Sequence, residues 1–220
     1  MAGTYIVGDK TKAAILKGSR KLFYKKGYTS TTYNDISALL NINRALIPYH
    51  FNTKLALAVS VYNEIINTAI DEADGLLDIN ELSDDLVSAF HIIIFYRLFN
   101  NKHLREFSCD LINENSDILY DIEQEKSIIK GLNNDYSMMD STTELLIANS
   151  MSAVRYRLIK CLDDEQVTPD NLAQQYIDFV LKYAGVTNDD IKELKDSAFQ
   201  LADLIDCEVK SNFQTTVSYR

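Results

Sequence analysis

Apolar residues recur every three to four positions through almost the whole chain, so helix is the dominant prediction. The first helix is expected from Asp9 to Lys26, with Ala14, Ile15, Leu22 and Phe23 along one side. Gly27 suits a C′ stop, with Lys25 and Lys26 in the last turn complementing the helix dipole. A short second helix follows Thr31 or Thr32, with Tyr33, Ile36, Leu39 and Leu40 facing inward. A third spans Arg44 to His50, and Phe51 closes the small core behind it. Asn52 or Thr53 then caps a long fourth helix running from Lys54 to Leu77.

The remainder reads as further helices at Asp84–Asn100, Leu104–Asn113, Asp117–Leu132, Ser141–Leu162, Asn171–Ala184 and Asp189–Ser211. Asn-rich and Asp-rich breaks separate them, and Thr168-Pro169 places a capping residue before an N1 proline. With two prolines and seven glycines there are few turn signals for strands. The expected fold class is therefore all-α, with about nine to ten helices in two domains, 1–54 and 55–220. The last two helices carry apolar stripes: Ala173, Tyr176, Ile177, Val180, Leu181 and Ala184 on one, and Ile191, Leu194, Phe199, Leu201, Leu204, Ile205 and Val209 on the other. Such faces suit a helical homodimer interface.

The tight spacing of the second and third helices is the chemically informative feature. Two short helices joined by two or three residues make a helix-turn-helix, whose second helix can enter a DNA major groove. Asn41 stands where that turn wants a positive φ, which Asn tolerates better than other non-glycine residues. Asn43 suits the N-cap of the third helix.

Charge points the same way. Residues 1–60 hold nine Lys/Arg against Asp9 and Asp35, a net of +7, while residues 61–220 hold 13 against 30, a net of −17. A pI near 4.8 for the whole chain would argue against nucleic acid. Phosphate neutralisation is local, however, so the asymmetry between the two parts decides.

Composition excludes several classes. No apolar run approaches the ~18 residues of a membrane span, and no signal core opens the chain, so a cytoplasmic location is expected. Cys109, Cys161 and Cys207 fit neither a disulfide framework nor a zinc spacing. His91, His103 and Cys109 include no i,i+4 pair or CxxC, so neither metal nor cofactor is expected. There is no phosphate loop, nucleophile elbow or His/carboxylate constellation, which argues against an enzyme.

One family carries these residues at this spacing. The segment from Ile15 to Tyr62 resembles the N-terminal domain of TetR-family transcriptional repressors, through Ile15, Leu22-Phe23, Gly27-Tyr28-Thr29, Thr31-Thr32, Ile36-Ser37, Ile42-Asn43, Ile47, Tyr49-His50-Phe51, Lys54 and Leu57. The resemblance implies an all-α homodimer with a small DNA-binding domain on a larger effector-binding domain. Three positions depart from the pattern. The usual turn glycine is Asn41, a phosphate-contacting tyrosine is replaced by Pro48, and the glutamate after the lysine is Leu55. Proline at that depth removes the 48→44 bond and crowds the Arg44 carbonyl, which predicts a short or bent recognition helix.

Roles at the DNA face follow from side-chain chemistry. Arg44 can pair with guanine N7 and O6 or contact phosphate; Asn43 can read adenine or cap the helix. Ala45 and Leu46 can meet thymine methyls, although Leu46 also suits the interior. Tyr49 suits a base edge or phosphate, and His50 a phosphate or the fourth helix. Lys54, Thr31 and Thr32 stand at helix N-termini that favour phosphate.

In the larger part, His91, Tyr96, Phe99, Met151, Arg155 and Tyr156 are the candidate ligand contacts. The expected function is a ligand-responsive regulator, a repressor that binds a pseudo-palindromic operator on double-stranded DNA as a homodimer and answers to a small-molecule effector. The alternative is a DNA-binding regulator controlled by a partner protein.

Overall fold

The computed structural model describes residues 2–115, 142, 149–150, 153–155, 157–163, 166–183 and 187–220. The expected helix Asp117–Leu132 lies outside the described residues, and that at Ser141–Leu162 is described only in part, with 153–155 and 157–159 helical ahead of a 3-10 turn at Lys160–Asp163.

Six helices open the chain: α1 (Ala2–Lys26), α2 (Tyr33–Leu40), α3 (Leu46–Phe51), α4 (Lys54–Leu77), α5 (Asp84–Leu98) and α6 (Lys102–Glu114). Near the C-terminus come α7 (Pro169–Tyr183), α8 (Asn188–Ala202) and an antiparallel hairpin, β1 (Ile205–Val209) and β2 (Thr215–Tyr219). The helical fold is as the sequence predicts, and α4 runs between its expected limits. The first helix starts earlier than expected, at Ala2.

The small N-terminal core gathers Ile15, Phe23, Tyr28, Ile36, Ile47 and Phe51 against Leu57, Ala58 and Val61 at the start of α4. Gly18 lets α2 come close: a Cβ there would lie 2.9 Å from the Leu40 side chain. Leu39, read from the sequence as inward, is instead 50% exposed. The short α2 turns Ile36 into the core and needs no second anchor of that size.

The larger part is built around α5, whose Ala89, Phe90, Ile92, Ile93, Ile94, Phe95, Tyr96 and Leu98 are buried. A helix apolar on all sides must be enclosed. Helices α4, α7 and α8 and strand β1 pack on it. The stripes of the last two helices are therefore largely used within the chain. Ala173, Tyr176, Ile177, Val180 and Leu181 are buried, as are Ile191, Ala198 and Ala202. Of the apolar residues there, Phe179 and Leu204 remain exposed.

The final helix is shorter than its periodicity predicts. It ends at Ala202, and Ile205–Val209 is a strand rather than the last turns of a helix ending at Ser211. Leu201, Ile205 and Val209 satisfy an i,i+4 pattern, but Ile205, Cys207 and Val209 equally satisfy the period of two of a strand. The β-branched Thr215, Thr216 and Val217 supply the partner strand, with Cys207 opposite Val217. Among the described residues, no helix is long and apolar enough to cross a membrane.

Candidate DNA-binding face

Helix α2 is fixed at both ends. Thr32 is its N-cap, and its hydroxyl accepts from the Asp35 amide while the Asp35 carboxylate accepts from the Thr32 amide at 2.8 Å. Lys26, at the end of α1, donates to the same carboxylate at 2.6 Å. That ammonium, followed by the Thr32 donors, holds the Asp35 carboxyl down at about 2 from an ordinary 3.8. The Lys26–Asp35 pair escaped the sequence reading, although a Thr-x-x-Asp box beside a basic helix end would have flagged it. At its other end α2 stops on Asn41 at φ 52°, as the missing turn glycine requires. The Asn41 and Ile42 amides both return to the Ser37 carbonyl.

The turn then delivers α3. Asn43 Oδ1 accepts from the Ala45 amide at 2.9 Å, so its side chain organises the entry to the helix. The first regular residue is Leu46 rather than Arg44. Pro48 explains the shift. With no amide at 48, the Arg44 carbonyl accepts from Ile47 at 3.2 Å in a tighter i→i+3 bond, and regular i→i+4 bonding resumes from Tyr49 to Ala45 at 3.3 Å. The proline shortens and tightens the start of the helix without abolishing it.

This geometry sorts the candidate residues. Asn43, Arg44, Ala45 and Tyr49 are exposed, with Tyr49 at 78% the most open large apolar side chain described. Thr32 is exposed at the start of α2, and His50 is half-buried with its ring edge-on to Tyr49 at 5.0 Å. Leu46 is half-buried and packs on the core, its alternative role. Ile47 and Phe51 fill the interior.

Two candidates sit differently from expectation. Thr31 is buried, and its hydroxyl donates to the Gly27 carbonyl at 2.7 Å, so it ties α1 to the following loop rather than lying on the surface. Lys54 turns its ammonium inward. It donates to the carbonyls of Tyr28 at 3.1 Å and Thr31 at 3.3 Å, and lies 4.1 Å from the centre of the Tyr28 ring. The N-cap of α4 is Thr53, whose hydroxyl accepts from the Ala56 amide. Lys10, Lys12, Lys17, Lys21 and Lys25 are exposed on α1 and supply the rest of the positive charge.

The candidate ligand contacts partly converge. Tyr96 and Phe99 are buried on and just beyond α5, and the Tyr96 hydroxyl donates to the Arg155 carbonyl at 3.2 Å. Arg155 is buried, with its guanidinium 4.0 Å over the Phe95 ring. Phe95 and Phe99 meet edge-on at 5.1 Å. His91 lies apart from this group, its Nε2 2.7 Å from Asp74 Oδ1 on α4, which makes it a half-buried link between two helices. Met151 and Tyr156 lie outside the described residues.

Comparison with known proteins agrees with the geometry. Residues 15–61 match the model for bacterial regulatory proteins of the tetR family. A probable helix-turn-helix transcriptional regulator, ArpR of Pseudomonas putida, is 32% identical over 78 residues, 36% of this chain and 35% of that protein. The negative transcriptional regulator IcaR of the biofilm operon icaADBC in Staphylococcus aureus is 29% identical over 90 residues, 40% of this chain and 46% of IcaR. The matched region thus spans less than half the length of either relative. The crystal structure of RolR in complex with resorcinol superposes with a TM-score of 0.63 at 15% identity, covering 87% of this chain and 95% of RolR, which establishes a shared fold. Residues 15–61 are thus similar to the tetR family of bacterial regulatory proteins, and the chain shares its fold with RolR.

Proposed function

We propose that this chain is a ligand-responsive transcriptional repressor that binds a pseudo-palindromic operator as a homodimer. The observation that carries the reading is an exposed α3 entry on the basic part of an otherwise acidic protein. Asn43, Arg44, Ala45 and Tyr49 are turned to solvent while Ile47 and Phe51 anchor the helix from behind. Arg44 offers the guanine-reading or phosphate-binding cation, and Ala45 and Tyr49 the apolar and hydroxyl contacts to base edges. Thr32 and His50 flank this set. The net of −17 over residues 61–220 disfavours DNA contact by that part of the chain.

A dimer is needed because one six-residue helix reads too few base pairs for a specific site, and two half-sites lie ~34–36 Å apart. Repression draws support from IcaR, a negative regulator. Small-molecule control draws support from RolR, whose solved complex holds resorcinol, and from the aromatic group of Phe95, Tyr96 and Phe99 beside the Arg155 cation. Those residues suit a small aromatic or anionic effector.

Fluorescence anisotropy with a labelled random-sequence duplex, titrated with salt, tests the reading. Affinity should fall steeply as salt rises, by roughly one log unit per log unit of salt for each phosphate neutralised. Arg44→Ala should weaken binding. Salt-independent binding, or an Arg44→Ala chain that binds as tightly as the wild type, would overturn it.

A further inference from the structure

The C-terminal hairpin lies where the two parts of the chain meet, and nothing about DNA binding or ligand binding requires it. Its turn, Ser211–Phe213, carries a buried phenylalanine. Phe213 meets Tyr24 of α1 edge-on at 5.2 Å and Phe107 of α6 at 5.2 Å. Behind it, Phe107 stacks on Phe23 at 5.4 Å, and Tyr24 stacks on His103 at 4.4 Å. The ring thus fills the angle between the last turns of α1 and the start of α6.

The rest of the hairpin is pinned at several points. Asn101, the N-cap of α6, donates to the Val209 carbonyl at 2.7 Å, and the Tyr219 hydroxyl donates to the Leu76 carbonyl near the end of α4. The Arg220 amide returns to Leu204 at 2.9 Å, and its guanidinium reaches Asp206 at 2.8 Å. The hairpin is therefore fastened to α4, to the α5–α6 corner and to its own base, while its tip presses on α1.

The tip is also held in an unfavourable backbone conformation. Asn212 and Phe213 stand at φ 59° and φ 54°. For a bulky residue such as phenylalanine this left-handed region is a genuine outlier. It persists only where surrounding contacts over-determine it. Here those contacts are the aromatic rings of α1 and α6.

We propose that the hairpin is a strap that fixes the angle of the N-terminal helical module on the larger part of the chain, with Phe213 as its wedge. Its consequence for operator recognition rests on the DNA-binding reading, because that angle sets the separation of two recognition helices in a dimer. The strap itself stands or falls on the coupling between residue 213 and α1.

Hydrogen–deuterium exchange of the full chain, read by mass spectrometry, tests it. Phe213→Ala should speed exchange of the α1 segment 20–27 and the α6 segment 102–107 by about tenfold, while α7 amides keep their wild-type rates. If Phe213→Ala does not fold, Phe213→Leu gives the same readout with a smaller change, since it keeps apolar volume and loses the ring. Unchanged rates at 20–27, or equal acceleration in α7, would overturn the strap. A wild-type chain that bound no duplex would defeat the DNA-binding reading instead and would leave these exchange rates to decide the strap.

Discussion

Lys54→Met separates two roles that one lysine can play at the start of α4. A phosphate contact would release about one counterion, so its loss would shallow the salt slope by about 0.9 and leave stability alone. The structure gives the ammonium a different occupation, between the carbonyls of Tyr28 and Thr31 and over the Tyr28 ring. Hydrogen bonds to a charged group contribute about 1.5–3 kcal/mol each where both partners are shielded. This lysine is half-buried, and the Tyr28 carbonyl also accepts from the Thr31 amide at 3.2 Å, so that carbonyl keeps a partner when the ammonium is removed. A net loss of about 1–2 kcal/mol follows, with the cation–π contact contributing roughly 0.5–1 of it. Methionine keeps the apolar stem and removes only the charged head.

For a chain of this length each kcal/mol moves the melting temperature by roughly 2–4 °C, so Lys54→Met should melt about 2–8 °C lower than wild type. Calorimetry and a salt-titrated duplex anisotropy series on the same samples decide between the roles. The clamp predicts a lower melting temperature with an unchanged salt slope. An unchanged melting temperature with a slope shallower by about one would refute this reasoning and return Lys54 to the phosphate backbone.

Further outcomes follow from other sites. The Asp35 carboxyl titrates near 2 when folded and near 3.8 otherwise, so its contribution is present above the higher value and disappears as pH falls through the lower. The melting-temperature gap between wild type and Asp35→Asn should be constant above about pH 5 and close towards pH 2, and a gap that persisted in acid would contradict the Lys26–Asp35 pairing. Phe179 and Leu204 are the large apolar residues left open on α7 and just beyond α8, so Phe179→Glu with Leu204→Glu should give a monomer in sedimentation; an undiminished dimer would place the interface elsewhere. Burial, followed by the nearby Glu72 charge, pushes the Cys207 thiol up to about 12, whereas Cys161 is exposed. Ellman's reagent should therefore label Cys161 first and leave Cys207 unreacted until the chain unfolds, and fast labelling of Cys207 would show that the hairpin opens readily.

What the sequence made legible was local. Asn41 in a left-handed turn, Gly27 at a helix stop, Thr53 before α4 and Pro48 tightening the recognition helix are each set by one or two residues' backbone chemistry, and each is found. The sorting of the DNA face was less legible, because Thr31 and Lys54 hold surface chemistry and interior partners in the same side chain. Nothing in a linear pattern says that the Lys54 ammonium will find carbonyls 23 and 26 residues upstream. The hairpin was missed for a related reason. A five-residue segment with apolar ends fits periods of 3.6 and 2 alike, and the choice was made by Thr215–Tyr219 folding back to pair with it.

That pairing also decides how the apolar stripes of the last helices are used. Read alone, α7 and α8 each show a face with too much apolar surface for solvent, and a second copy of the chain is the simplest way to cover it. The structure has a nearer candidate, because α5 is apolar on all sides and must itself be enclosed. Burying Tyr176, Ile177 and Val180 against it satisfies both elements within one chain and leaves Phe179 and Leu204 as the large apolar side chains exposed on α7 and just beyond α8 among the described residues. A homodimer built on these two helices, as proposed, would therefore rest on a smaller apolar area than the stripes imply. If the proposed homodimer uses α7 and α8, their polar and charged side chains supply the rest of the contact, and association should weaken as salt is raised.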